Sequence, residues 1–305
     1  MIEKEKTISD EANFVLVTGA TGNVGRQVVS QLLRRGTHVR ALTRNPQSAG
    51  LPHEVDVVRG DLAVPETVDA VLKGAEAAFL LWGLPTTDTA PAVVQRLAKH
   101  MRRIVFLSSS AIRDDVEEQT NVVAKVHADI EQSIETRARE WTFLRPDGFA
   151  SNALWWWGPQ IRRGDVVRWP YGAAAMAPIH EEDIATVTVR ALREEGHCGK
   201  KYLLSGPESL TLVEQVQIIA EAIGRPLRFE EIAPEAARQQ LLAVLPPEIV
   251  DVLLDVLAGL TAGPAPITTA VREITGAPAH RFREWASDHA GDFRLVFTVP
   301  AGGGR

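Results

Sequence analysis

The chain has 305 residues, 45 % hydrophobic and 24 % charged, with a net charge of −6. That acidic balance argues against a nucleic-acid surface, and the single cysteine, Cys198, excludes an internal disulfide and a cysteine-built metal cluster. No apolar run reaches the roughly 20 residues of a membrane helix, so no membrane partner is expected. The start, Met1 to Asn13, is polar and charged, unlike a signal peptide, and with the lone cysteine it points to the cytoplasm.

The first half alternates strand and helix. Phe14–Thr18 has strand length and is apolar, Val24–Arg35 has helical periodicity up to Gly36, and His38–Arg44 and Val55–Arg59 read as strands. Pro65–Lys73 reads as a helix ending at Gly74, with proline suited to its first turn. Glu76–Trp82 is a strand, Thr89–Met101 a helix, Arg103–Ser108 a strand, Thr120–Glu140 a long helix and Trp141–Arg145 a strand. This alternation predicts an α/β fold with a Rossmann-type, doubly wound parallel sheet. After Pro146 the pattern changes. Ser151–Trp157, Glu181–Glu194, Leu212–Ile223, Pro234–Leu245, Glu248–Leu260 and Ile267–Thr275 read as helices, and Val166–Trp169, Ala177–Ile179 and Lys201–Leu204 as short extended pieces. The expected organisation is a polar tail over 1–13, a dinucleotide domain over 14–150 with 181–195 packing back on it, a smaller, mostly helical C-terminal lobe over 151–290, and a tail over 291–305. Ligands of open parallel sheets bind outside the carboxyl ends of the strands, so the substrate is expected between sheet and lobe.

Val15 to Gly25 read Val-Leu-Val-Thr-Gly-Ala-Thr-Gly-Asn-Val-Gly, a strand running into a turn with glycines at 19, 22 and 25 and then into a helix. Glycine permits the turn and close backbone approach, and the helix N-terminus offers N–H groups to a pyrophosphate. A nicotinamide dinucleotide is the expected cofactor. From His38 to His53 there is no Asp or Glu, whereas Arg40 and Arg44 are present, which favours NADP(H). Asp61 in Gly60-Asp-Leu is placed to bond the adenine amino group, or else to cap a turn.

With these motifs, Ser108-Ser-Ser110, Trp141-Thr-Phe-Leu-Arg145-Pro146, Pro178-Ile-His180-Glu-Glu-Asp183 and Tyr202-Leu-Leu-Ser-Gly206-Pro-Glu in order, the chain resembles the short-chain dehydrogenase/reductase superfamily, most closely its atypical, NmrA-like branch, over about 14–290. The resemblance implies an NADP-binding fold whose members range from quinone and small-carbonyl reductases to cofactor-sensing regulators. The expected cofactor set is Gly19, Thr21, Gly22, Asn23, Val24, Gly25, Arg44, Asp61, Leu62, Leu81, Ser108, His127, Pro146 and Phe149.

Reductases of this superfamily normally place a Tyr-x-x-x-Lys pair on the helix after the fifth strand, the tyrosine as proton donor. The two tyrosines here, Tyr171 and Tyr202, are elsewhere. Asn121 with Lys125, or Val123 with His127, could take the two places. Val123, Val126, Ile130 and Ile134 define the apolar stripe of that helix, His127 lies on it, and Lys125 sits about 200° from Val123. His127 is therefore expected near ribose or substrate, with Glu131 one turn later as NmrA-like proteins tend to have. A lone histidine on such a stripe is otherwise a core residue. Ser108 and Tyr171 join His127 as catalytic candidates. Trp82, Ser109, Phe149, Asn152, Trp155, Trp156, Tyr171 and His180 are the candidate substrate pocket, against the competing reading that at least two of the three consecutive tryptophans, Trp155 to Trp157, pack the lobe. No zinc spacing is present among the histidines, so no metal is expected. The expected activity is NADPH-dependent hydride transfer to a small aromatic, quinonoid or conjugated carbonyl compound. An NADP(H)-sensing regulator and a non-redox isomerase or cyclase remain alternatives, and a homodimer is compatible with all three.

Overall fold

β1 (Phe14–Thr18), β2 (His38–Thr43), β3 (Asp56–Arg59), β4 (Ala75–Leu81), β5 (Arg103–Leu107), β6 (Glu140–Pro146) and β9 (Lys200–Leu204) form one sheet in the order β3-β2-β1-β4-β5-β6-β9. The pairs from β3 to β6 are parallel. In this computed structural model residues 13–294 are described; of the expected tails over 1–13 and 291–305, residues 1–12 and 295–305 lie outside them, whereas 291–293 are not tail but part of a 3-10 helix, Ala290–Phe293, whose Phe293 is buried in a hydrophobic core. The central strands are apolar along their whole length because both faces are covered: Leu16, Val17, Phe79, Leu80, Ile104, Val105 and Phe106 are all fully buried. The chain leaves β1 towards β2 and β3 and returns to β4 on the other side of β1. The topological switch point thus lies between β1 and β4. The Rossmann-type doubly wound sheet expected from the alternation is present.

The chain divides into two compact units, one of residues 13–120, 124–146 and 184–203, the other of 121–123, 147–183 and 204–294. The first holds the sheet with α1 (Asn23–Arg34), α2 (Ala90–His100), most of α3 (Val122–Glu135) and most of α6 (Glu181–Arg193). A core layer of this unit runs from Leu16 and Phe106 to Val93, Leu97, Ile130 and Ile134.

The second unit contains α4 (Asn152–Trp156), α5 (Gly158–Ile161), α7 (Leu212–Ile223), α8 (Pro234–Leu241), α9 (Pro247–Gly259), α10 (Ala270–Thr275) and α11 (Phe282–Asp288). It also has two small ladders. β7 (Val166–Trp169) pairs in parallel with β11 (Arg228–Glu231), and β8 (Ala175–Met176) pairs antiparallel with β10 (Leu210–Thr211). Trp157, Trp285, Phe282 and Phe293 are its largest fully buried side chains. α7 is capped at both ends, by a Thr211–Glu214 capping box and by Gly224 in the left-handed conformation.

Several elements depart from the sequence reading. Lys201–Leu204 was expected as a lobe fragment; it belongs to β9, the seventh strand of the main sheet, and Gly199 N–H donates to Trp141 O at 2.8 Å to start that edge. Pro65–Lys73 is not an α-helix. Pro65–Val71 is a 3-10 helix whose three-residue repeat brings Val68 and Val71 to the core together. The helix expected over Thr120–Glu140 is shorter, Val122–Glu135, because Thr136 Oγ1 and Arg137 donate to the Gln132 and Ser133 carbonyls and close its end. The extended piece expected at Ala177–Ile179 is a single bridge, Phe149 to Ile179, with the strand two residues earlier. α5, α11, β10 and β11 were not expected.

Candidate active site

The glycine turn is built for an anion. Gly19 has φ +62, and Leu81 lies so close that a Cβ there would meet its side chain at 3.1 Å. Thr18 Oγ1 fixes that approach by accepting the Leu81 N–H at 2.7 Å. A Cβ on Gly25 would stand 2.1 Å from Gly19 O, so only glycine lets α1 pack against the turn. Gly22 is different: a Cβ on it would only touch Gly19 O at 3.4 Å, and the residue is exposed. α1 begins at Asn23 with no side-chain cap and no acidic residue in its first turn. Its first N–H groups, at Asn23, Val24 and Gly25, are therefore open to a phosphate. Thr21 and Asn23 are exposed beside them. These residues fit a dinucleotide pyrophosphate.

The end of β2 separates the two arginines noted in the sequence. Arg40 is buried, pairs with Asp56 at 2.6 Å, donates to Val71 O and lies 4.0 Å over the Phe14 ring. It holds β2 to β3 and takes no part in cofactor selection, which corrects its inclusion with Arg44. Arg44 is exposed and makes no hydrogen bond or ion pair among the described residues. Asp61 Oδ1 accepts the Ala63 N–H at 3.0 Å, a local turn that leaves Oδ2, while Leu62 packs on the core.

At the carboxyl ends of β5 and β6 lies an ionic network with a buried centre, Ser108, Glu131 and Arg145, and an exposed outer carboxylate, Asp114. Ser108 Oγ donates to Glu131 Oε1 at 2.5 Å. Arg145 donates to Glu131 at 2.9 and 2.6 Å and to both oxygens of Asp114 at 2.6 and 2.9 Å. Lys201 Nζ lies 3.0 Å from Glu135 and 3.7 Å from Glu131. Burial works against the Arg145 charge, but Glu131 and Asp114 outweigh it and raise its pKa. The hydrogen bond from Arg145, resisted by burial, holds the Asp114 carboxyl below its usual range. Ser108 is buried with its proton committed to Glu131, so its expected role against substrate is corrected to one of positioning. Ser109 is half-buried, and its Oγ accepts from the Ala111 N–H at 3.2 Å. Pro146 ends β6 and accepts the Ser110 N–H at 3.2 Å.

On α3, the His127 ring stacks over Phe106 with centroids 6.0 Å apart and planes at 29°. Lys125 is exposed and pairs with Asp129 at 3.6 Å, so it turns from the sheet as the periodicity indicated. Trp82 is not a pocket residue. It is buried in the core layer, and its Nε1–H donates to Thr86 O at 2.9 Å.

In the second unit the expected aromatic set divides. Trp156 is buried in the core and stacks with Trp169 at 5.8 Å, and Trp157 is wholly buried, so both are packing residues and Trp156 leaves the pocket set. Trp155 is 46 % exposed. Phe149 and Asn152 are half-buried, and the Asn152 N–H donates to Phe149 O at 3.1 Å. Tyr171 packs on the lobe core with φ +55, a left-handed conformation costly for a residue with a ring. His180 does not line a pocket. It is 2 % exposed, its Nδ1 accepts the Glu182 N–H at 3.0 Å, and it sits between His280 and His289. Its neighbour Glu181 accepts from His289 at 2.7 Å and from Trp285 Nε1 at 3.1 Å, and Asp183 accepts from His280. The acidic start of α6 thus anchors α11 and the residues flanking it. Among the described residues no group of three or more His, Cys, Asp or Glu is arranged to hold a metal, and no helix is long and apolar enough to cross a membrane.

Sequence reasoning missed Arg26, Asp114 and Lys201. Arg26 follows Gly25 directly and could have been flagged as a cation in the first turn of the phosphate helix. Asp114 reaches Arg145 from 31 residues before it, and Lys201 reaches Glu131 from 70 residues after it, and no spacing rule connects them.

The fold and the glycine turn define a nicotinamide-dinucleotide-binding protein. A family model described as NAD(P)H-binding matches residues 19–195. A (4-alkanoyl-5-oxo-2,5-dihydrofuran-3-yl)methyl phosphate reductase of Streptomyces griseus is 38 % identical over 92 % of this chain and 99 % of its own. An NAD(P)H azoreductase of Xenophilus azovorans is 29 % identical over 92 % and 99 %. The triphenylmethane reductase of Citrobacter sp., solved with NADP(H), shares the fold with a TM-score of 0.74, at 22 % identity over 91 % and 99 %. The chain belongs to this NAD(P)H-binding family, in line with its NmrA-like resemblance.

Proposed function

We propose that the protein reduces a small molecule with an electron-poor conjugated system, such as a quinone, an aromatic carbonyl or an unsaturated lactone, with NADPH as donor. The observation that carries this reading is the make-up of α3. The tyrosine acid is absent, Lys125 is turned to solvent, and the ring beside β5 is that of His127. A site without a phenol acid suits an acceptor whose charge is delocalised once hydride arrives, because such a product takes its proton from a weaker donor or from water. The named substrates of two relatives share that electronic character: a dihydrofuranone bearing an acyl group, and an azo bond.

The bound reduced nicotinamide supplies the hydride. The turn at Gly19, Gly22 and Gly25 and the N–H groups of Asn23 and Val24 would hold the pyrophosphate, Leu81 would bound the cofactor on one side, and Arg44 would take the adenosine 2′-phosphate. His127 would hydrogen-bond ribose or return the proton to product. Ser109 would orient the substrate oxygen, with Ser108 and Glu131 fixing the end of β5 beneath it.

The test is anaerobic NADPH oxidation against a panel of quinones, unsaturated lactones, azo compounds and simple ketones. Turnover of the conjugated acceptors alone supports the reading; turnover of simple ketones with none of the others overturns it.

A further inference from the structure

We propose that Arg26 is a second selector of the 2′-phosphate, acting with Arg44. This rests on the preference for NADP(H) argued above and deepens it. Arg26 is the fourth residue of α1, and its N–H closes the first helical bond, to Gly22 O at 2.9 Å. Helical side chains lean towards the N-terminus, so its guanidinium lies over the glycine turn. There Nε donates to Thr21 O at 3.0 Å. The two terminal nitrogens donate to Gly50 O at 2.7 Å and to Ala49 O at 2.9 Å. One side chain thus fastens the phosphate turn to the loop that follows β2, the loop that carries Arg44.

The chemistry of those acceptors matters. All three are backbone carbonyls, and no carboxylate pairs with Arg26 among the described residues. Its charge is held in place but not neutralised. Arg44 is likewise without a counter-ion, no Asp or Glu occurs from His38 to His53, and the next one, Glu54, pairs with His53. Two guanidinium groups and no anion therefore flank the junction of turn and second strand, where the adenosine ribose of a dinucleotide lies. A guanidinium has five N–H donors; three are used here, and two remain for a phosphate oxygen.

The experiment measures binding by calorimetry, with no turnover. The probes are NADP+, NAD+, adenosine 2′,5′-bisphosphate and 5′-AMP, and the proteins are wild type, Arg26→Met, Arg26→Lys and Arg44→Met. The expected result is that Arg26→Met weakens NADP+ and the bisphosphate by at least about tenfold while NAD+ and 5′-AMP stay within about threefold. Arg26→Lys should keep part of the preference, since it keeps the charge and loses the fork. If Arg26→Met weakens NAD+ as much as NADP+, or weakens neither, the proposal is overturned and Arg26 is a structural clamp. If Arg44→Met alone abolishes the preference, the NADP(H) reading stands and the role of Arg26 falls. If wild type binds both dinucleotides equally, the preference itself falls and takes this role with it.

Discussion

Ser108 and Glu131 are joined by a hydrogen bond of 2.5 Å beneath the carboxyl ends of β5 and β6, with both side chains buried. The bond matters because Glu131 also carries Arg145, which is itself buried. Removing one partner of a buried ion pair leaves the other charge uncompensated, at a cost of about 3 kcal/mol or more. Glu131→Gln should therefore lower the urea-unfolding free energy by about 3 kcal/mol. Ser108→Ala should cost about 1 kcal/mol and leave kcat within about tenfold of wild type. A far larger loss of kcat in Ser108→Ala, with stability kept, would return Ser108 to the substrate.

The glycines of the phosphate turn should fail in different ways. In Gly25→Ala the added methyl meets Gly19 O at 2.1 Å, so the helix must shift and stability should fall. In Gly22→Ala the methyl fits at 3.4 Å in the protein alone. That variant should melt near wild type and lose dinucleotide binding, because its methyl occupies the approach of the pyrophosphate. Thermal melts with and without NADP+ distinguish the two.

The Glu181–His289 pair should make stability fall at alkaline pH. The hydrogen bond that His289 donates to Glu181 is the chief cause that raises the His289 pKa from 6.5 to about 9. A raised histidine contributes fully below its unfolded pKa and loses that contribution as pH rises through the folded one. The window is thus about pH 6.5 to 9. His289→Gln should flatten the unfolding free energy across that window. An unchanged slope would show that the pair does not titrate with folding.

Tyr171 offers a test of backbone strain. Its φ of +55 favours glycine over any residue with a Cβ. Tyr171→Gly should be more stable than Tyr171→Ala by about 1 kcal/mol, the reverse of their usual order. Paired urea midpoints decide it.

His127→Phe keeps a ring against Phe106 and removes both nitrogens. If the histidine returns the proton, kcat should fall about 100-fold with cofactor affinity within about threefold. A weakened Kd for NADP+ with kcat nearly kept would make it a ribose ligand instead.

The parts of the molecule governed by local rules were legible in the sequence. Phe14–Thr18, the three turn glycines, and the stripe that put Lys125 outward depend only on neighbours within a turn or two. The parts decided by distant residues were not. Lys200–Leu204 alternates weakly in burial, and nothing local says that it will pair with β6. Arg40 and Arg44 look alike in sequence; Asp56 on the next strand makes the first structural. Trp82 and Trp156 could have lined a pocket, and only the core around them shows otherwise. His180 owes its burial to His280 and His289, a hundred or more residues away.

β6 ends at Pro146 and its outer neighbour begins at Lys200, so 53 residues (147–199) leave the ribosome between them. At about 5–20 residues per second, the nascent sheet keeps a bare hydrogen-bonding edge for roughly 3 to 11 seconds. Such an edge pairs readily with a neighbouring polypeptide on the same message. Recoverable yield in a foreign host should therefore follow translation speed and chaperone supply more closely than the melting point of the finished protein.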